Sequence, residues 1–231
     1  MDNDYRIITA ADGAAGWNQA LAGTPDLIIS DVMMPEMNGF ELCRKLKSDQ
    51  RTSHIPLILL TAKADMGSKI EGLEFGADDY ISKPFEAKEL QVRVKNLIVQ
   101  RKLLREKFSK MSEINPAEIV VSSIDEKFLK HFLEVFEDHI SEPDFSTEQY
   151  AREVGMSRMQ LNRKLQALTN HSTHEFILNL RLKRAAQLLK KKAGSVSEIA
   201  YSLGFNSPSH FAHAFHKKFG QPPSSYASKD N

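Results

Sequence analysis

DLIISDVMMPEMNG, residues 26–39, is the stretch that decides the fold. Leu27, Ile28 and Ile29 make an apolar run that ends in Ser30 and Asp31, and an Asn38-Gly39 turn signal follows. A short apolar run bounded by turn residues predicts a buried strand. An acid at the carboxyl end of such a strand stands where open α/β sheets place their ligands. The same acid could instead cap a helix starting near Asn38, and this stretch alone leaves both readings open.

The flanking segments alternate between two periods. Residues 5–10, YRIITA, predict a short strand ending at Asp12-Gly13. Residues 14–22 predict a helix with Trp17 and Leu21 facing inward, broken at Thr24-Pro25. A helix over 39–48 follows the Asp31 strand, with Cys43 among Leu42 and Leu46 as a packing residue. Residues 56–60, PLILL, predict a second buried strand, ending at Thr61-Ala62. A helix carrying Gly67, Ile70, Leu73 and Phe75 comes next, closed by Gly76. A strand over 79–81 then leads to Lys83-Pro84-Phe85. From 86 to about 110 the period is helical, with Leu90, Val94, Leu97 and Leu104 on one face. Strands alternating with helices imply βα units and a parallel sheet.

The chain has 231 residues, enough for about two domains. At 41% hydrophobic and 26% charged it is a globular composition. It has no apolar run long enough to cross a membrane, and its first residues lack a signal pattern. A single cysteine excludes an internal disulfide and fits a reducing, cytoplasmic setting. The net charge of +1 hides an asymmetry. Residues 144–231 carry 13 Lys and Arg against 6 Asp and Glu, with five of the eight histidines, whereas residues 1–143 carry 18 against 24. Only the second half suits a polyanionic partner.

Asp31, Thr61 and Lys83 each close a strand, and with the words DVMMPEMNG, LILLTAKA and GADDYISKPF they resemble the receiver domain of two-component response regulators. The resemblance covers residues 1 to about 100 and implies a flavodoxin-like parallel sheet. It implies Asp31 as phospho-acceptor, Thr61 as switch hydroxyl, Lys83 as the family's lysine and Tyr80 as switch aromatic. A carboxylate can attack a phosphoryl group held by a histidine. The Lys83 ammonium, the Thr61 hydroxyl and the N–H groups of Val32 and Ala62 would take the phosphoryl oxygens. Thr61 drawn toward the phosphate would free space for Tyr80 to turn inward. The family also implies Mg2+, but YRIITA matches its second strand. The first strand, first helix and acidic pair are therefore missing, and the receiver is N-terminally truncated. Asp2 and Asp4 lie at the wrong end of YRIITA, and Asp12 belongs to its turn. The metal ligands would be Asp31 and the backbone carbonyl of Met33. Strands two and three would each lack a neighbour. We expect either an unrecorded upstream part or a degenerate receiver, and poor phosphate uptake by this chain.

Beyond a linker around 111–123, residues 125–140 predict an amphipathic helix with Phe128, Phe132, Val135, Phe136 and Ile140 on one face. Residues 147–154, Gly155 and the Ser157-capped stretch 158–168 give helix, turn, helix. The pattern recurs at 196–203, Gly204-Phe205-Asn206 and the Ser207-capped stretch PSHFAHAFHKKFG. Between them, a helix over about 173–192 would span ~30 Å, close to the ~34 Å turn of B-DNA. One chain could thus set two recognition helices into successive major-groove segments.

With RLKRAAQLL, SEIAYSLGFNSPSHFAHAFHKKFG and QPPSSY, the segment from about 124 to 226 resembles the AraC/XylS-type DNA-binding domain. That implies Arg158, Met159, Asn162 and Arg163 as base readers in the first recognition helix, and Ser209, His210 and His213 in the second. Arginine forks onto guanine and asparagine onto adenine. Lys164, Lys217 and Lys218 would hold phosphates. Lys190, Lys191 and Lys192 suit a helix C-terminus. His210, His213 and His216 recur every three residues, but no cysteine or acid joins them into a metal set.

The expected architecture is thus an α/β receiver over 1–100, a helical extension and linker over 101–123, and an all-α domain with two helix-turn-helix motifs over 124–231. The expected function is transcriptional regulation by sequence-specific binding of double-stranded DNA, controlled by phosphorylation of Asp31. The donor would be a sensor histidine kinase, possibly on the same polypeptide, as at the C-terminal end of hybrid sensors. The chain would pair as a homodimer on DNA, with no membrane in this segment. The alternative is a phosphorylation-independent DNA-binding regulator whose degenerate receiver is a dimerisation or docking surface. An enzyme such as an aspartyl-phosphate phosphatase fits poorly, because no second acid follows Asp31 two residues on.

Overall fold

The computed structural model describes residues 5–23, 25–62, 76–110 and 122–227. The expected helix bearing Gly67, Ile70, Leu73 and Phe75, most of the linker, Asp2 and Asp4, and the side chain of Leu104 lie outside the described residues. Two compact units are present, one built on residues 5–107 and one on 127–227.

In the first unit three parallel strands lie in the order β1 (Ile28–Asp31), β2 (Leu57–Ala62), β3 (Asp79–Lys83). Ile28 stands opposite Leu57, and Thr61 opposite Ser82. Side chains alternate across β2. Leu57 and Leu59 face a core that holds Trp17, Ala20, Leu42, Cys43, Leu46 and Tyr80. That core is closed by α1 (Gly13–Gly23) and α2 (Gly39–Ser48). Ile58 and Leu60 face Ile81, Val94, Leu90, Leu97 and Ile98, so α3 (Ala87–Lys110) covers the opposite face. Covering both faces is what makes β2 a continuous apolar run.

YRIITA does not form the expected strand. Residues 5–10 carry no strand pairing, and Ile7 and Ile8 are 62% and 59% exposed. Among the described residues no strand pairs with this segment, so its backbone has no ladder to join. β1 is accordingly an edge of the described sheet, with Ile29 exposed.

The second unit is helical: α4 (Ser123–Asp138), α5 (Thr147–Glu153), α6 (Arg158–Thr169), α7 (Thr173–Lys190), α8 (Val196–Ser202), α9 (Pro208–Phe219) and α10 (Pro223–Ala227). Ser146, Ser157, Ser172 and Ser195 each cap a helix through a reciprocal capping box with Gln149, Gln160, Glu175 and Glu198. Each box satisfies two backbone donors that would otherwise be orphaned at a helix start. Ser207 caps α9, with Pro208 in its first turn. Gly155 and Gly204 adopt φ of +69° and +70° in the two helix-turn-helix turns, a conformation glycine reaches without steric cost. Phe132 packs against Tyr150 and Phe176 in one core, and Phe205, Phe211 and Phe215 against α7 and α8 in another. α7 has 18 residues rather than the expected 20, and therefore spans about 27 Å. Among the described residues no helix is long and apolar enough to cross a membrane.

Candidate functional site

The carboxyl ends of the three strands converge on Asp31. Gly39 allows this convergence: a Cβ there would lie 2.3 Å from the Asp31 carbonyl oxygen, so only glycine lets α2 start so close to β1. Asp31 is not the cap of α2. Asn38 takes that place, its side chain accepting from the Glu41 N–H while Glu41 accepts from the Asn38 N–H. The Asp31 carboxylate is left for other partners. Oδ1 accepts from the Met33 N–H at 3.1 Å, and Oδ2 accepts from the Lys83 ammonium. Burial pulls the Asp31 carboxyl up, but the Lys83 hydrogen bond, the Met33 N–H and the Lys83 charge outweigh it and hold the carboxyl below its usual range. Both side chains remain accessible, Asp31 at 34% and Lys83 at 43%, so an incoming group can reach the carboxylate.

Thr61 is buried at the end of β2, its hydroxyl donating to the Ala62 carbonyl at 3.2 Å. The Val32 N–H donates to Leu60 O within the ladder extension, and so is already engaged. Tyr80 was expected to turn inward only when Thr61 moves. Its ring already lies in the core with Trp17 and Cys43, and its hydroxyl has no hydrogen-bond partner among the described residues. Burial, with the Cys43 and Asp78 charges, drives that phenol well above its usual range.

The metal expectation meets a sparse donor set. Among the described residues no three His, Cys, Asp or Glu side chains cluster. The Asp12 carboxylate accepts from the Ala15 N–H at the start of α1. One carboxylate, Asp31, and the Met33 carbonyl do not make the oxygen cage that Mg2+ takes, so these residues alone do not fit the ion.

On the nucleic-acid side, Arg158 and Met159 open α6 and are exposed, Met159 at 61%. Arg163 is half-buried one turn further on. Ser209, His210, His213, His216 and Lys217 are exposed along α9. Lys218 is half-buried, and burial lowers its pKa. One expected contact is placed elsewhere. Lys164 is fully buried, its ammonium 5.0 Å from the Phe128 ring centroid, and so is withdrawn from phosphate. Asn162 is exposed, and its amide oxygen accepts from the Thr173 N–H at 3.0 Å, which joins α6 to the start of α7. Arg181 of α7 joins two other segments of this unit. Its Nη1 donates to Gly204 O and its Nη2 to Glu142 O.

Comparison with known proteins agrees with this division. Residues 1–95 match the response regulator receiver domain and residues 150–229 a helix-turn-helix domain. The chain thus joins a response regulator receiver domain to a helix-turn-helix domain. It is 46% identical over 99% of its length to a histidine kinase, P4, of Formosa agariphila, and spans 17% of that protein. It is 32% identical to an AraC-type transcriptional regulator of Chromobacterium violaceum, covering 45% of this chain and 92% of that one, with a TM-score of 0.42. It is also 32% identical to the receiver domain of a Pseudomonas aeruginosa PAO1 sensor histidine kinase that has a magnesium ion in its active site cleft. That match covers 41% of this chain and 77% of that one, with a TM-score of 0.38.

Proposed function

We infer that the chain is a DNA-binding transcriptional regulator whose receiver accepts a phosphoryl group at Asp31. The donor is a sensor histidine kinase, on the same polypeptide or another, and the chain binds double-stranded DNA as a homodimer. The observation that carries this reading is the reach of Lys83 to Asp31 over the end of β2, above the buried hydroxyl of Thr61. An oxygen of the Asp31 carboxylate attacks the phosphorus of a phosphohistidine, the P–N bond breaks, and an acyl phosphate forms. Lys83 then passes from the carboxylate to a phosphoryl oxygen, and Thr61 turns its hydroxyl from Ala62 O to another. The basic second half, +7 over residues 144–231, supplies the electrostatic part of DNA binding, and α6 and α9 supply base contacts. Domain limits of 1–100, 101–123 and 124–231 remain part of this reading, as do the roles of Thr61, Lys83, Tyr80 and the exposed residues of α6 and α9.

A second reading, a phosphorylation-independent regulator with the receiver as a docking or dimer surface, is favoured by a Tyr80 ring that is already inward. Gel-shift titration on genomic duplexes at rising salt tests what both readings share. DNA binding through several phosphate contacts makes affinity fall steeply, with log K dropping by about 0.9 per contact for each decade of salt. A flat salt response, or no complex at low salt, contradicts both.

A further inference from the structure

The two helix-turn-helix motifs are separated in sequence by α7, and one side chain of α7 touches the surroundings of both. Arg181 lies near the middle of that helix. Its Nη1 donates at 3.1 Å to the carbonyl of Gly204, the left-handed turn residue between α8 and α9. Its Nη2 donates at 2.9 Å to the carbonyl of Glu142, in the segment that leads from α4 into α5. Gly204 is packed into the same junction: a Cβ there would lie 2.7 Å from Ile140 O and 2.8 Å from Arg181 Nη2. On the other side stands Tyr150 of α5, fully buried. Tyr150 Oη and Arg181 Nε are both buried and without a hydrogen-bond partner among the described residues. Burial pushes the Tyr150 phenol up to about 12, and the Arg181 charge works against that rise.

A guanidinium is a rigid planar fork that can hold two carbonyls of different segments in fixed mutual geometry. Here one carbonyl belongs to the turn of the second motif and the other precedes the first helix of the first motif. Both Nη atoms of Arg181 are engaged by these carbonyls.

We propose that Arg181 is the positioning residue that locks the two helix-turn-helix motifs in one relative orientation, and so sets the half-site spacing the protein accepts. This rests on the DNA-binding reading above. A locked pair binds its second half-site as an intramolecular event only at the matching spacing. Each inserted base pair moves the second half-site by ~3.4 Å and about a tenth of a turn. A pair released from the lock tolerates that shift and loses affinity at the optimum.

The test uses the full chain and a duplex that the wild type selects from a randomised pool. Affinity is measured on that duplex, on versions with one or two base pairs inserted between the half-sites, and on versions with one half-site scrambled. For the wild type, one inserted pair is expected to cost about tenfold or more. For Arg181→Met, the optimum duplex is expected to weaken by about tenfold, the insertion penalty to fall below about threefold, and the single half-site affinity to stay within about twofold. Arg184→Gln removes a neighbouring arginine whose contacts are Glu137 and Gln187, and is expected to keep the wild-type spacing profile. If Arg181→Met does not fold by circular dichroism, Arg181→Lys, which keeps the charge but has no fork, carries the same comparison. A folded Arg181 variant with the wild-type insertion penalty overturns the proposal, and so does equal loss on single and paired half-sites. A wild type that selects no sequence overturns the DNA-binding reading instead, and this proposal with it.

Discussion

Lys83 at the end of β3 reaches across β2 to the carboxylate of Asp31 at the end of β1, two residues on non-adjacent strands and 52 positions apart in sequence. That contact favours the charged form of the Asp31 carboxylate. The Asp31 carboxyl is held low, so whatever stability the pair gives is present above the ordinary carboxylate range and is lost as pH falls through the lowered value. In Lys83→Met the burial remains and the largest of its counterweights goes, so the Asp31 carboxyl is expected to titrate higher than in the wild type by carbon-detected NMR. Both side chains are partly exposed, so the pair contributes only about 0–1 kcal/mol, and the melting temperature is expected to change little.

Gly39→Ala is expected to act on the same site through sterics. The added methyl would meet the Asp31 carbonyl and the Val32 Cα. Overpacking of this kind costs about 1–3 kcal/mol. Chemical denaturation measures it, and an unchanged midpoint would mean that α2 can start further from β1 than the structure shows.

Cys43 is fully buried, and burial, offset by the Lys47 charge, pushes its thiol up to about 11. Thiolate is the reactive form. Reaction with a thiol reagent near pH 8 is therefore expected to be slow in the native protein and fast after denaturation. Fast native labelling would contradict the packing.

Asn162→Ala and Arg163→Ala test whether either of these α6 neighbours reads a base. The first removes the acceptor for the Thr173 N–H and is expected to cost about 1 kcal/mol of stability, with base preference retained. The second is expected to cost about 1–3 kcal/mol of binding and to relax preference at one base pair. Loss of adenine selectivity in the first, or uniform loss over all sequences in the second, reverses the assignment.

The strand ends at Asp31, Thr61 and Lys83 were legible because apolar runs and turn signals mark them locally. The two helix-turn-helix motifs were legible because each carries a glycine turn followed within three residues by a serine cap. YRIITA misled because a short β-prone run looks the same whether or not it has a pairing partner. Lys164 was open to a better reading: it falls on the stripe Leu161, Leu165, Leu168 at helical spacing, which marks the buried face of α6. Asn162 and Thr173 are 11 residues apart and meet only through tertiary packing. The five residues of α10 are too few to show a period.

The central claim is that Asp31 governs DNA binding. Its most direct test compares wild type with Asp31→Asn, produced with the sensor kinase active, by DNA affinity and by output from a reporter carrying the selected duplex. The account predicts that phosphoryl-bearing wild type shifts in both, and that Asp31→Asn stays at the level of the wild type without signal. Equal affinity and equal output in the two proteins would contradict it.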